Sequence, residues 1–153
     1  MSATQDVEYI DVDGDTYPDI VIANSDGPDR LILTSMFYGD GVNSPSPGTA
    51  PRPLDIAAYA SPGVVLGSAE LPTRDIEVED LNGDGIADFV IATSDGSNKA
   101  IYGAKDGNDK DSLPKLPAAD VGGPGSSQTV DVYDVDGDGD MDTVFGNTDQ
   151  TAS

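Results

Sequence analysis

The chain contains no cysteine and no histidine, and only 7 of its 153 residues are lysine or arginine. Without cysteine there is no disulfide framework, and the redox compartment is not directly indicated. The two absences together remove the strongest nucleophile and the commonest general base, so an enzyme would have to rely on carboxylates, Ser, Lys or Tyr. Against the few basic residues stand 29 acids, giving a formal charge of −22. Nucleic acid and anionic membrane surfaces would repel such a chain, and cations are its natural partners. No apolar run approaches the ~20 residues of a membrane span, so no membrane insertion is expected. Met1-Ser2-Ala3-Thr4-Gln5 does not read as a signal peptide, so an exported chain would have lost its leader.

What is abundant is Asp in a fixed pattern. The nine residues Asp80-Leu81-Asn82-Gly83-Asp84-Gly85-Ile86-Ala87-Asp88 have counterparts at 11–19 and 134–142. Oxygen-bearing side chains fall at loop positions 1, 3, 5 and 9: Asp11, Asp13, Asp15 and Asp19, then Asp80, Asn82, Asp84 and Asp88, then Asp134, Asp136, Asp138 and Asp142. This alternation lets a tightly turning backbone aim several hard oxygens at one hard cation, and it predicts three Ca²⁺ sites. Position 7 would supply only its carbonyl, which assigns Tyr17, Ile86 and Asp140 to backbone ligation and explains their chemical variety. An EF-hand loop starts the same way but needs a bidentate Glu at position 12, where this chain has Ile22, Ile91 and Phe145. A single Asp-Gly stretch would read equally well as a hairpin turn or a solvated acidic loop. Three copies with four ligands in register favour calcium. Loops without the position-12 Glu bind weakly, in a range suited to millimolar extracellular calcium, so the expected location is extracellular.

The repeat extends beyond the loops. Before each runs an alternating strand in which Val7 and Tyr9, Ile76 and Val78, Val130 and Val132 are equivalent apolar positions, with Glu8, Glu77 and Asp131 between them, so the apolar face is expected to be buried. After each runs Ile20-Val21-Ile22-Ala23, Phe89-Val90-Ile91-Ala92 or Thr143-Val144-Phe145-Gly146, predicted as interior strands covered on both faces. Polar hairpins follow at 24–27, 93–96 and 147–150. Third strands then begin at Arg30-Leu31-Ile32-Leu33 and Lys99-Ala100-Ile101-Tyr102. Gly63-Val64-Val65-Leu66-Gly67-Ser68 predicts a fourth strand, and its counterpart at 115–121 is weaker and interrupted by Pro117. The six residues Leu54-Asp55-Ile56-Ala57-Ala58-Tyr59 are too few to establish a helical period. The expected fold is all-β: one repeat domain over 1–153, with repeat 1 at about 5–62 (a Pro/Gly-rich insertion at about 39–62), repeat 2 at about 63–112 and a partial repeat 3 at about 113–153. Repeats of 50 to 70 residues with about four strands each suit propeller blades.

Residues 80–92, Asp80-Leu81-Asn82-Gly83-Asp84-Gly85-Ile86-Ala87-Asp88-Phe89-Val90-Ile91-Ala92, closely resemble the FG-GAP and VCBS repeat family, as does the approach Leu66-Gly67-Ser68-Ala69-Glu70-Leu71-Pro72-Thr73-Arg74-Asp75-Ile76. The resemblance covers most of the chain outside 39–62. It implies a β-propeller with calcium in the hairpin between two strands, as in integrin α-subunit heads and secreted microbial proteins. The sequence departs from the pattern at Thr16, where Gly is usual at loop position 6, so the first site is expected to be strained or weaker.

A closed propeller needs at least four blades, whereas this chain carries about two and a half repeats. It is therefore expected to be a segment of a longer propeller or to join other copies through open sheet edges. The leading expectation is a calcium-stabilised structural or adhesion module whose outer surface meets protein or glycan. The alternatives are a subunit of a self-assembling filament or ring, and a carbohydrate-binding module using Tyr38, Tyr59 or Tyr102. A glycosidase pair drawn from Glu70, Asp75, Glu77 and Glu79 is disfavoured, because two of these are simply polar or edge positions of the strand entering the second loop. No enzyme activity is expected.

Overall fold

A computed structural model describes residues 3–14, 16–34, 64–66, 71–105, 112–123 and 125–148, with the backbone alone at 64, 105 and 112–117. Asp15, the insertion at 39–62, Glu70, Tyr38 and Tyr59 lie outside the described residues. Every regular element among the described residues is a strand: β1 (Thr4–Ile10), β2 (Asp19–Asn24), β3 (Asp29–Ile32), β4 (Val64–Leu66), β5 (Thr73–Glu79), β6 (Asp88–Thr93), β7 (Lys99–Lys105), β8 (Ser112–Asp120), β9 (Ser127–Tyr133) and β10 (Asp142–Asn147). They form three antiparallel sheets, ordered β1-β2-β3-β4, β5-β6-β7-β8 and β10-β9. The molecule is thus all-β, its described residues forming two four-stranded blades and a two-stranded third.

The blades share one register. Glu8 pairs with Val21, Glu77 with Val90, and Asp131 with Val144. The register shifts at the start of the first two blades, between Thr4 and Asp6 and between Thr73 and Asp75. β8 is a nine-residue strand on the outer edge of its sheet. That position tolerates Pro114 and Pro117, because an edge strand does not need every ladder donor.

Alternation along each strand gives a blade two faces, and the core forms where facing blades meet. Val21, Ala23, Leu31, Leu33 and Leu66 of blade 1 pack on Ile76, Val78, Phe89, Ile91 and Ile101 of blade 2. Val90 and Ala92, on the opposite face of blade 2, pack on Val130 and Val132 of blade 3, with Phe145 alongside. First strands therefore lie side by side, β1 against β5 and β5 against β9.

Two sequence expectations need correction. Val7 and Tyr9 are exposed, although their counterparts in blades 2 and 3 are buried. Val144 is also exposed, so Thr143-Val144-Phe145-Gly146 is not an interior strand covered on both faces. Alternation identifies the apolar face, but burial depends on a neighbouring blade, and these two faces have none among the described residues.

Hydrogen bonds also join one blade to the next through a repeated polar contact. In blade 1, buried Asp29 accepts from Asn24 N–H with Oδ1 (2.7 Å) and from Thr73 Oγ1 of blade 2 with Oδ2 (2.7 Å). In blade 2, Asn98 Oδ1 accepts from Thr93 N–H (2.8 Å) and its Nδ2 donates to Ser127 Oγ of blade 3 (2.9 Å). A residue at the entrance to the third strand of each of the first two blades thus latches onto the first strand of the next.

Candidate metal centres

Each Asp-rich loop is the connection between the first and second strands of a blade, β1 to β2, β5 to β6, and β9 to β10. A nine-residue loop holds its shape only if its backbone donors find acceptors, and here the loop's own carboxylates accept from them. Asp11 accepts from Gly14 N–H with Oδ1 and from Thr16 N–H with Oδ2, each at 2.8 Å. Asp80 accepts from Asp84 and Gly85 N–H (3.1 and 2.7 Å). Asp134 accepts from Gly137, Asp138 and Gly139 N–H (2.7, 3.1 and 3.0 Å). The position-3 side chain accepts from the position-5 N–H (Asn82 from Asp84, 2.9 Å; Asp136 from Asp138, 3.1 Å). Position 5 in turn accepts from position 7 (Asp84 from Ile86, 2.9 Å; Asp138 from Asp140, 3.0 Å). Each side chain spans two residues of backbone, so the loop coils around its own oxygens.

Coiling this tightly requires left-handed backbone at positions 4 and 6. Gly14, Gly83 and Gly137 fill position 4, with φ of 74°, 73° and 79°. Position 6 is Gly85 (80°), Gly139 (96°) and, in the first loop, Thr16 (75°). Thr16 is the only non-glycine with positive φ among the described residues, at the position where the sequence pattern departs.

Position 9 opens the second strand, and its side chain turns inward. Asp19 is fully buried, accepting from Val12 N–H (2.9 Å) with Oδ2 and from Thr34 N–H (2.8 Å) with Oδ1. Asp88 repeats this with Leu81 N–H (3.1 Å) and Gly103 N–H (2.8 Å). Burial holds the Asp88 carboxyl above its ordinary range, against the lowering effect of those two donors. Asp142 accepts from Val135 N–H (3.1 Å) and is exposed. In the first two loops the position-9 carboxylate therefore clamps the loop entrance to a residue of the third strand or just beyond it, a task that ligand spacing alone does not reveal.

Carboxylate oxygens of Asp11, Asp13 and Asp19 lie within 4.8 Å of one another, as do those of Asp134, Asp136 and Asp138. In the second loop Asn82 contributes an amide oxygen where the others have carboxylates. Tyr17 is half-exposed, Ile86 buried and Asp140 exposed, so position 7 has no common side-chain environment. These loops offer what a hard cation requires: several oxygens, in a preformed turn, with alternate residues converging.

A model of the FG-GAP-like repeat family matches residues 80–145. This stretch is similar to FG-GAP-like repeats. It runs from the first ligand position of the second loop into β10, so it holds the second and third loops together. Blade 1 repeats the register, loop geometry and position-9 clamp of that FG-GAP-like segment. No curated protein matches the chain.

A second acidic group lies along the side-by-side first strands, where Asp6, Glu8, Asp75, Glu77 and Asp131 come together. Burial pushes Glu77 up to about 7, with Glu8, Asp75, Asp131 and Asp6 adding repulsion. Burial, then repulsion from Asp75, also raises Asp6. Asp75 is engaged across the blade boundary, accepting from Thr129 Oγ1 (2.6 Å) and Val130 N–H (2.9 Å). Tyr102, on β7, is half-exposed.

Proposed function

We propose that this protein is a calcium-binding structural or adhesion module that works outside the cell, with calcium fixing the first-to-second-strand loop of each blade. The supporting observation is that in all three loops the position-1 carboxylate already sits inside a cradle of backbone N–H groups. Among the described residues, position 3, 5 and 9 oxygens are held on the same turn. Asp11, Asp13, Asp15 and Asp19, with the Tyr17 carbonyl, make the first set. Asp80, Asn82, Asp84, Asp88 and the Ile86 carbonyl make the second. Asp134, Asp136, Asp138, Asp142 and the Asp140 carbonyl make the third. The metal neutralises carboxylates that otherwise repel one another at short range, and so ties each hairpin to its blade. The outer surface then serves as a rigid platform for a protein or glycan ligand, without catalysis.

Calorimetric titration of chelator-stripped protein tests this reading. Three calcium sites are expected, with magnesium competing poorly because it demands a small octahedron and gives up water reluctantly. Fewer than two sites would overturn it. Asp84→Ala abolishes the middle site, whereas Asp95→Ala leaves affinity nearly unchanged, since Asp95 serves the neighbouring hairpin by accepting from Ser97 N–H (3.0 Å). Equal losses from the two would indicate diffuse counterion attraction instead.

A further inference from the structure

We infer that copies of this chain associate head to tail, the Val144 face of blade 3 stacking on the Val7–Tyr9 face of blade 1. The two internal blade boundaries supply the pattern. Val21, Val90 and Val144 are the same position in the three blades, pairing in turn with Glu8, Glu77 and Asp131. Val21 is 0% exposed under blade 2 and Val90 1% under blade 3, whereas Val144 is 53% exposed. On the opposite face, Ile76 and Val130 are 0% and 2% exposed where they meet the preceding blade, and Val7 in their register is 41% exposed. Tyr9, in register with buried Val78 and Val132, is 68% exposed.

Among the described residues, one face thus has no following blade against it and the other no preceding one. The second copy is the occupant because it carries the missing counterpart of each face in a single surface. The contact is heterologous, so it repeats from copy to copy and closes into a ring or runs on as a filament. It buries blade faces rather than adding a strand to the β10 edge. Its polar part fits too. Asp75 of blade 2 accepts from Val130 N–H across the boundary, and in blade 3 that position is Thr129, whose hydroxyl can accept without adding to the negative charge. With −22 on each copy, long-range repulsion opposes the encounter and is screened beyond about 8 Å at physiological salt, so association strengthens as salt rises.

The inference rests on the repeat geometry and is independent of the metal reading. The test is sedimentation of the full chain, with Val144→Asp blocking one face and Tyr9→Asp the other. Wild type is expected to grow with concentration. Each folded variant alone is expected to be a monomer, and an equimolar mixture a dimer and nothing larger, because each variant keeps the face its partner has lost. A wild type that stays monomeric at the highest soluble concentration overturns the inference. So does association of either variant by itself, which would point to pairing through the β10 edge. Should a variant lose its strand content by circular dichroism, Val144→Cys and Tyr9→Cys take its place in a chain with no other cysteine. A mixed disulfide in excess over the statistical mixture supports the stack, and a statistical yield overturns it. These outcomes decide the matter whether or not calorimetry finds calcium.

Discussion

Thr16 holds φ at +75°, a conformation that costs a β-branched residue on the order of 1–3 kcal/mol. Thr16→Gly is therefore expected to stabilise the chain by roughly 1 kcal/mol, after allowance for the greater chain entropy of Gly, and to tighten the first calcium site. Thermal melts in chelator and calorimetry in calcium check the two halves separately. Position 9 behaves differently from the other ligand positions. Replacing Asp88 by Asn turns an amide toward the N–H of Leu81 or Gly103, leaving a buried donor without an acceptor. Asp88→Asn is expected to cost about 2–3 kcal/mol even in chelator, whereas Asp84→Ala leaves only the part-buried Ile86 N–H without its acceptor and is expected to cost less in chelator than in calcium. Urea unfolding in both conditions distinguishes them. The ligand spacing and the anomaly at Thr16 were legible in the sequence, because both are local properties of one turn. The clamp was not, since Thr34 and Gly103 reach position 9 only through the register of the third strand.

Among the elements, the blade-to-blade latch differs between its two copies in one informative atom. Asn98 is neutral, but Asp29 is a carboxyl whose burial raises it to about 6, against lowering by the Asn24 N–H and Thr73 hydroxyl. A group raised in the folded state contributes stability that is fully present below its unfolded value, near 4, and lost as pH rises through 6. Asp29→Asn keeps the acceptor for Asn24 N–H and offers Thr73 a donor, as Asn98 does to Ser127. It is expected to stabilise the chain at pH 7 by at most about 3 kcal/mol and to change little below pH 4. Melting curves across that range give the answer. Period-two alternation located the first strand of every blade, and continuous apolar runs located the second. The edge strand β8 was understated because Pro114 and Pro117 break the pattern without breaking an edge. The exposure of Val7, Tyr9 and Val144 was not foreseeable, since alternation says which face is apolar and nothing about what lies against it.

At the scale of the whole molecule, the proposed calcium sites and the carboxyls that burial raises most are largely different groups, Asp88 being common to both. Burial raises Glu77 to about 7 and Asp29 to about 6, and it raises Asp6 and Glu8 as well. Stability held by these groups is lost between about pH 5 and 8, so melting temperature in chelator falls as pH rises through that window. Loop carboxylates must be ionised to bind metal. With a dissociation constant near ~10⁻⁴ M, millimolar calcium contributes about 1.4 kcal/mol per site. The gap between melting temperatures in calcium and in chelator is therefore expected to widen from pH 5 to pH 8, and equal ionic strength of sodium would not reproduce it. A gap independent of pH would contradict this division.

The latch also gives the fold a direction in time. Asp29 finds its second partner in Thr73, 44 residues further along, and Asn98 finds Ser127 after a further 29. A ribosome adding roughly 5–20 residues each second delivers Thr73 a few seconds after Asp29. During that interval the first hairpin has its own strands but not the hydroxyl that satisfies its buried carboxyl. Each blade of the nascent chain is therefore completed by the emergence of the next one's opening strand, and a stall between Asp29 and Thr73 leaves the first blade open to proteolysis.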